Sequence, residues 1–219
     1  MLLLKEKRFL INLTSAQTFY ISISVIAILV AIILIAFFFY KFVFAKKRYK
    51  DVIYLKLARL AKFNDYLLLN NYAIDFDDTH VGIIDHILIS KKYIFVINDF
   101  SLSGVISGDL KDRSLRVING KNDVKIISNP LNYNINLIKR LNLYNHLDQT
   151  FVKGIVVIDN DSYINLSSQN KQFVMLRRKD LAHFIQKCEK DPVKPLKENE
   201  VVNFINKLDK QNRNRRVDD

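Results

Sequence analysis

Between Phe19 and Tyr40 the chain reads FYISISVIAILVAIILIAFFFY, twenty-two residues without a charged side chain. A helix rising about 1.5 Å per residue needs roughly twenty residues to cover a hydrocarbon core of about 30 Å. A helix buried in the core of a water-soluble protein is rarely apolar on every face for this long. This run is apolar on every face and therefore calls for lipid. Ser22 and Ser24 do not spoil it, because a helical serine hydroxyl bonds back to its own backbone. Phe19, Tyr20 and Tyr40 stand at the two ends, where an interfacial aromatic belt sits. A cleaved signal peptide has a shorter apolar core followed by a small-x-small site, and neither feature is present. The expectation is a short segment over 1–18 and a transmembrane helix over 19–44.

The flanks set the expected orientation. Beyond the span, KFVFAKKRYK carries five basic residues, Lys41, Lys46, Lys47, Arg48 and Lys50. Lys5, Lys7 and Arg8 precede it, opposed by Glu6. Basic residues are retained on the cytoplasmic side, which predicts an N-terminus outside and a large cytoplasmic domain anchored in the cell membrane by one pass. Lipid is then the first partner, with Lys46–Lys50 available to anionic headgroups. The formal net charge is +12, and these flanks supply much of it, so the charge alone argues little for nucleic acid.

Past the flank, 45–64 is a basic juxtamembrane segment and helix, with Val52, Leu55, Ala58, Leu60 and Phe63 as a loose apolar stripe. Short strands are expected at 66–69 and 72–76, followed by a polar loop at 74–80. The strongest strand signal is IIDHILIS (83–90), a Lys91-Lys92 turn and YIFVIN (93–98). Two β-rich runs around a two-residue polar link read as a hairpin, and their continuous hydrophobicity as central strands. Gly104, Gly108 and Gly120 punctuate further strands at 104–107, 115–118 and 124–127. Asn129-Pro130 opens a helix whose stripe is Leu131, Ile135, Ile138, Leu141 and Leu143. Strands follow at 151–159 and 173–176, then a helix capped by Asp180 and running through Cys188. Pro192 and Pro195 separate it from a charged C-terminal helix, 199–213, within a tail segment 191–219. This order describes an α/β domain over 65–190 with a mixed central sheet flanked by helices.

Several chemistries are excluded. One cysteine, Cys188, allows neither an internal disulfide nor a cysteine-rich metal site, and it reads as filler on the apolar face of a helix. His80, His86, His146 and His183 show no paired-ligand spacing for zinc. No phosphate-cradling loop, dinucleotide fingerprint or nucleophilic triad is present.

The stretch GIIDHILISKKYIFVINDFSLSGVISG (82–108), continued by NPLNYNINLIKRL (129–141) and FVKGIVVID (151–159), resembles the nuclease-related domain (NERD) family. The resemblance implies a restriction-endonuclease-like fold. It also implies a site in which an aspartate on one strand and a Glu-x-Lys on the next hold a divalent ion and orient water. Asp85 stands at the aspartate position. Asn98 stands where the family has the glutamate, Phe100 where it has the lysine, and Tyr133 where a glutamine follows Asn-Pro. The first helix also lacks the family's Gly-x-x-Gly-Glu. Asp99 is one residue out of step with Asn98 and should face the other side of the sheet. Lys91 and Lys92 lie at the far end of the strand, roughly 20 Å away at about 3.3 Å per residue. These departures imply a catalytically dead member with no cofactor. Asp85 then reads as a structural acceptor or, if any metal binds, as its ligand. His86 reads as a structural histidine.

Three functions fit. The first is a non-catalytic, membrane-tethered module binding nucleic acid or a protein partner. Its candidate contacts are Lys111, Arg113 and Arg116 in mid-domain loops, Lys139 and Arg140 on a helix, and Arg177, Arg178 and Lys179, any of which is otherwise solvated surface. The second is a Mg2+-dependent nuclease with a rearranged site built from Asp85, Asp99 and Asp77 or Asp78. The third is a structural membrane protein that recruits partners.

Overall fold

The computed structural model describes residues 15–75, 81–120, 123–145, 148–167 and 170–218. The chain divides into two compact units, Met1–Arg48 and Tyr49–Asp219. Helix α1, Ser15–Asn64, supplies backbone to both, so residues 49–64 and the apolar run belong to one helical element. The run Phe19–Tyr40 is long and apolar enough to cross a membrane, and its side chains are exposed throughout. Ser24 Oγ donates to the Tyr20 carbonyl at 2.9 Å, so its hydroxyl costs the helix no unpaired group. Helix α1 stops where Asp65 turns to φ 59°, and the Asn64 amide donates to the Leu60 carbonyl at 2.8 Å.

In the larger unit a five-stranded sheet has the order β1-β2-β3-β7-β9. The strands are β1 Leu67–Asp75, β2 Val81–Ile89, β3 Ile94–Asp99, β7 Val152–Ile158 and β9 Phe173–Arg177. The first three are antiparallel, whereas β3, β7 and β9 run parallel. A second sheet, β6-β5-β4-β8, is built from β4 Val105–Gly108, β5 Ser114–Asn119, β6 Asp123–Ser128 and β8 Tyr163–Leu166. The fold is thus mixed α/β, as expected, but with two sheets instead of one. Strand β8 is absent from the sequence-based expectation. Its four residues, Tyr163 to Leu166, alternate between exposed and half-buried, and so short a run gives a weak strand signal.

Helices cover both faces of the larger sheet. On one side Ile53, Leu57, Leu60 and Ala61 of α1 meet Leu181, Ile185 and Cys188 of α3, Leu181–Glu189, over Phe95, Ile97 and Ile155. On the other, Leu137, Ile138 and Leu141 of α2, Pro130–Asn145, join Phe204 and Leu208 of α4, Glu198–Asp218, over Ile87, Ile94 and Val96. Two expected stripes are corrected. Val52, Leu55 and Phe63 on α1 are exposed, because the buried stripe starts one residue later, at Ile53. Leu143 on α2 is exposed as well, while Asn134 and Leu137 face inward.

The candidate strands 66–69 and 72–76 are one strand, β1, bent at Asn71, whose φ is 53°. Asparagine tolerates this left-handed geometry better than other non-glycine residues. Leu69 and Tyr72, three residues apart, therefore face the same side, as do Ile87 and Ile84 opposite them. The facing alternation inverts at the level of Asn71 and Asp85, where the candidate site begins.

Buried Tyr93 immediately precedes β3, and its hydroxyl donates to Asp191 Oδ2 at 3.2 Å. Burial first, and that bond second, push the phenol up to about 12. A pKa raised by folding adds stability below the unfolded value of about 10 and loses it as pH climbs to the folded one. Alkaline unfolding followed by tyrosine absorbance should show this loss between about pH 10 and 12, and Tyr93→Phe should flatten it. Cys188 is buried as expected, and its thiol is pushed up by desolvation, which keeps it protonated and unreactive.

Candidate functional site

The hairpin β2–β3 is paired from Ile89–Ile94 to His86–Ile97, and there the strands part. Into the gap Asp85 inserts its carboxylate. Asp85 Oδ2 accepts the backbone N–H of Asp99 at 2.9 Å and the Asn98 amide at 3.3 Å. The Asn98 amide donates as well to the Ile83 carbonyl at 2.9 Å. One carboxylate thus replaces the missing rung of the ladder and ties the end of β3 to β2. Asp85 is 8 % exposed and Asn98 1 %, so these bonds lie out of solvent.

Asn98 faces α2, in step with Ile94 and Val96. Its side-chain oxygen accepts from Asn134 Nδ2 at 2.9 Å, and the same Nδ2 reaches the Val96 carbonyl at 3.2 Å. One residue earlier on α2, the Tyr133 hydroxyl accepts from Ile83 N–H at 3.0 Å. The Tyr133 ring stands edge-on to Phe100 with centroids 6.4 Å apart. Asp85, Asn98, Phe100 and Tyr133 are thereby drawn to one place where β2, β3 and α2 meet. What meets there is one carboxylate, one amide and two aromatic rings.

Two further residues hold this place together, and neither stands out in the sequence. Asn134 is fully buried, and its Oδ1 has no hydrogen-bond partner. That oxygen fills the space a side chain would need at Gly154 on β7, where a Cβ would also lie 2.8 Å from the Phe173 ring. Asn134 thus reaches Asn98 only because β7 carries a glycine there. Gly154→Ala should overpack this contact and cost about 1–3 kcal/mol in chemical denaturation, with Gly154→Val costing more. Equal stability of the alanine variant would mean that α2 does not pack on Gly154. The helix start is pinned too: Asn129 Oδ1 accepts from Leu131 N–H at 3.0 Å, while its Nδ2 donates to the Asp112 carbonyl at 2.9 Å.

On the opposite face a separate polar group forms. Asp99 Oδ2 lies 3.0 Å from His86 Nε2, and His86 Nδ1 lies 2.6 Å from Asn70 Oδ1. The Asp99 carboxylate is fully buried and turned away from Asp85, although its backbone N–H is what Asp85 binds. Asp77 and Asp78, candidates for a rearranged site, lie outside the described residues, as do His80 and His146.

Several of the candidate basic residues have structural partners. Arg177 pairs with Asp180 at 2.8 Å, so Asp180 occupies the N-cap position of α3 without capping it through its side chain. The carbonyls of Arg178 and Lys179 receive Lys56 Nζ at 2.7 and 3.0 Å. Lys92 Nζ is held by the Asp191 carbonyl at 2.6 Å, and Lys91 lies exposed beside it in the turn. Lys139 is exposed and Arg140 half-buried on α2. Lys111, Arg113 and Arg116 are exposed on and before β5, and none of the three makes an ion pair with another described residue. Nothing is described of the side chains of Lys46, Lys47 and Arg48.

The donor set does not suit a resident divalent ion. Magnesium needs several oxygen ligands, usually including more than one carboxylate or a substrate phosphate. Here Asp85 already serves two N–H donors, Asn98 turns its oxygen to Asn134, and Phe100 has no donor. Among the described residues no group of three or more histidine, cysteine, aspartate or glutamate side chains could hold a metal.

A family model described as nuclease-related domain matches residues 47–159. No curated protein matches the chain, and no solved structure does.

Proposed function

The chain belongs to the nuclease-related domain family, and from that premise we propose a non-catalytic member, held by its N-terminal helix at the cytoplasmic face of a membrane, where it serves as a binding module. The observation that supports this reading most is that the family's metal position keeps one carboxylate, Asp85, and otherwise holds neutral side chains. Asn98 and Asn134 bond to each other at 2.9 Å, and Phe100 packs on Tyr133 where a lysine and a glutamine would stand. A nuclease needs charge there to gather a metal and polarise water. A fold of this family without the Glu-x-Lys pair fits a role in binding.

The test uses the full chain in nanodiscs of zwitterionic lipid, with single- and double-stranded DNA and RNA and either Mg2+ or Mn2+. No cleavage is expected. Metal-dependent cleavage that disappears in Asp85→Ala but persists in a surface variant such as Lys139→Ala would overturn the reading. The cytoplasmic placement rests on the basic flank Lys41–Lys50. A fluorescent reporter fused to the C-terminus should fold and emit in cells, whereas activity from a C-terminal phosphatase fusion outside the membrane would contradict that placement.

A further inference from the structure

The second sheet buries one face and leaves the other open. Ile106, Leu115 and Val117 point into a core shared with Leu131 and Val156. Their sequence neighbours, on the opposite face, are aligned by the strand register into two rows. Tyr163, Val105, Ile118 and Val124 form one row across all four strands, and Asn165, Ser107, Arg116 and Ile126 form the next. Tyr163 is 65 % exposed and Ile126 73 %, so an aromatic ring and an aliphatic wall stand in water at opposite edges of the sheet. A cavity of about 480 Å³ opens toward the Ile126 edge, lined by Ser107, Gly108, Asp112, Arg113, Arg116 and Ile126.

The arginines of this surface are not drawn into ion pairs. Neither Arg113 nor Arg116 has an acidic partner among the described residues. The carboxylate that lines the same cavity, Asp112, accepts the backbone N–H of Asp109 at 2.9 Å and so serves its own loop. Two guanidinium forks beside a hydroxyl suit phosphate oxygens, since arginine binds phosphate bidentately. Tyr163 and Arg116 lie two strands and two residues apart, roughly 12 Å at ordinary sheet spacings. That span suits adjacent extended nucleotides, with a base on the ring and a phosphate at the arginines. An open sheet with exposed ring and aliphatic groups accepts splayed bases, whereas the stacked bases of a duplex do not present their faces to it.

The geometry points to the outer face of the second sheet as a binding platform for single-stranded nucleic acid, with Arg113 and Arg116 holding the phosphodiester and Tyr163 stacking on a base. This surface is separate from the Asp85–Asn98 position and goes beyond the non-catalytic reading. It is tested with EDTA present, so a failure here leaves the cleavage result standing, and the reverse also holds.

Full-length protein in zwitterionic nanodiscs is titrated into labelled oligothymidylate and followed by fluorescence anisotropy. Binding should weaken steeply with added salt, as counterion release requires. The double variant Arg113→Glu/Arg116→Glu should lose about tenfold or more in affinity. Tyr163→Ala should lose about tenfold, within the range of one stacked base, while Tyr163→Phe should stay near the wild type. Far-UV circular dichroism should be unchanged in all three, since these side chains are at the surface. The proposal is overturned by absent binding, by affinity indifferent to the arginine reversal, by Tyr163→Phe failing as badly as Tyr163→Ala, or by tighter binding of duplex. Arginine-dependent capture of nanodiscs containing phosphatidylserine, without oligonucleotide binding, would overturn it too and reassign the surface to lipid.

Discussion

Replacing Asp99 with alanine should lower the stability of the domain by about 1–3 kcal/mol, the usual cost of leaving a buried hydrogen-bonding group without its partner. The carboxylate is fully buried and lies 3.0 Å from His86 Nε2, so its loss takes the partner from that buried ring nitrogen while Nδ1 keeps Asn70. The cost should be recovered in part by removing the histidine too. His86→Leu/Asp99→Leu replaces the pair by apolar groups on a face already lined by Leu88, Phe95 and Ile97, and such swaps are often close to neutral. A double-mutant cycle by urea denaturation should therefore return a coupling energy above about 1 kcal/mol. Additive losses would mean that the two groups do not act as a pair. The chain has no tryptophan, so tyrosine fluorescence or far-UV circular dichroism must report the unfolding.

Asp85→Ala should cost about 2–4 kcal/mol. It leaves the Asp99 backbone N–H without an acceptor and takes one of two acceptors from the Asn98 amide. A buried donor stranded in this way costs about 1–3 kcal/mol, and the lost bond to Asn98 adds to it. Asp85→Asn keeps an oxygen of the same reach, so it should cost only about 1 kcal/mol. The contrast between the two variants separates a structural acceptor from a metal ligand. If Asp85 held an ion, Mg2+ or Mn2+ would raise the melting temperature of the wild type, and both variants would abolish that increase. The expected result is a melting temperature indifferent to either metal, with asparagine tolerated and alanine not.

The two aspartates mark where reading by period works and where it stops. Asn98 and Asp99 lie on opposite faces because adjacent strand residues alternate, and that rule needs nothing beyond the sequence of β3. The absence of the family's Glu-x-Lys is equally local: Asn98 and Phe100 can be read off directly. The bond network that takes the place of that pair is not local. Asn134 looks like one of several asparagines in α2, and nothing in its neighbours says that it will be buried against β7. Its role depends on Gly154, far along the chain on a strand adjacent only in the fold. The expected α1 stripe differs from the observed one for a related reason. Val52 and Ile53 are both strongly apolar, so periodicity could not choose the rotation of the helix. Packing against Phe95 on β3 and Ile185 on α3 chose it.

The apolar run Phe19–Tyr40, the β2–β3 hairpin and the start of α2 at Asn129-Pro130 were determined by the sequence alone. Each rests on short-range physics: hydropathy over a bilayer's thickness, strand runs around a turn, and a side chain that caps the next few amides. The tertiary structure decided the rest. It inverted the facing of β1 and β2 at Asn71 and Asp85, and it drew Asp85, Asn98, Phe100 and Tyr133 together with neutral partners. It also split the expected single sheet in two and left Tyr163 and Arg116 on one open face. Those outcomes depend on register between distant strands and on one left-handed residue, and neither leaves a periodic trace in the chain.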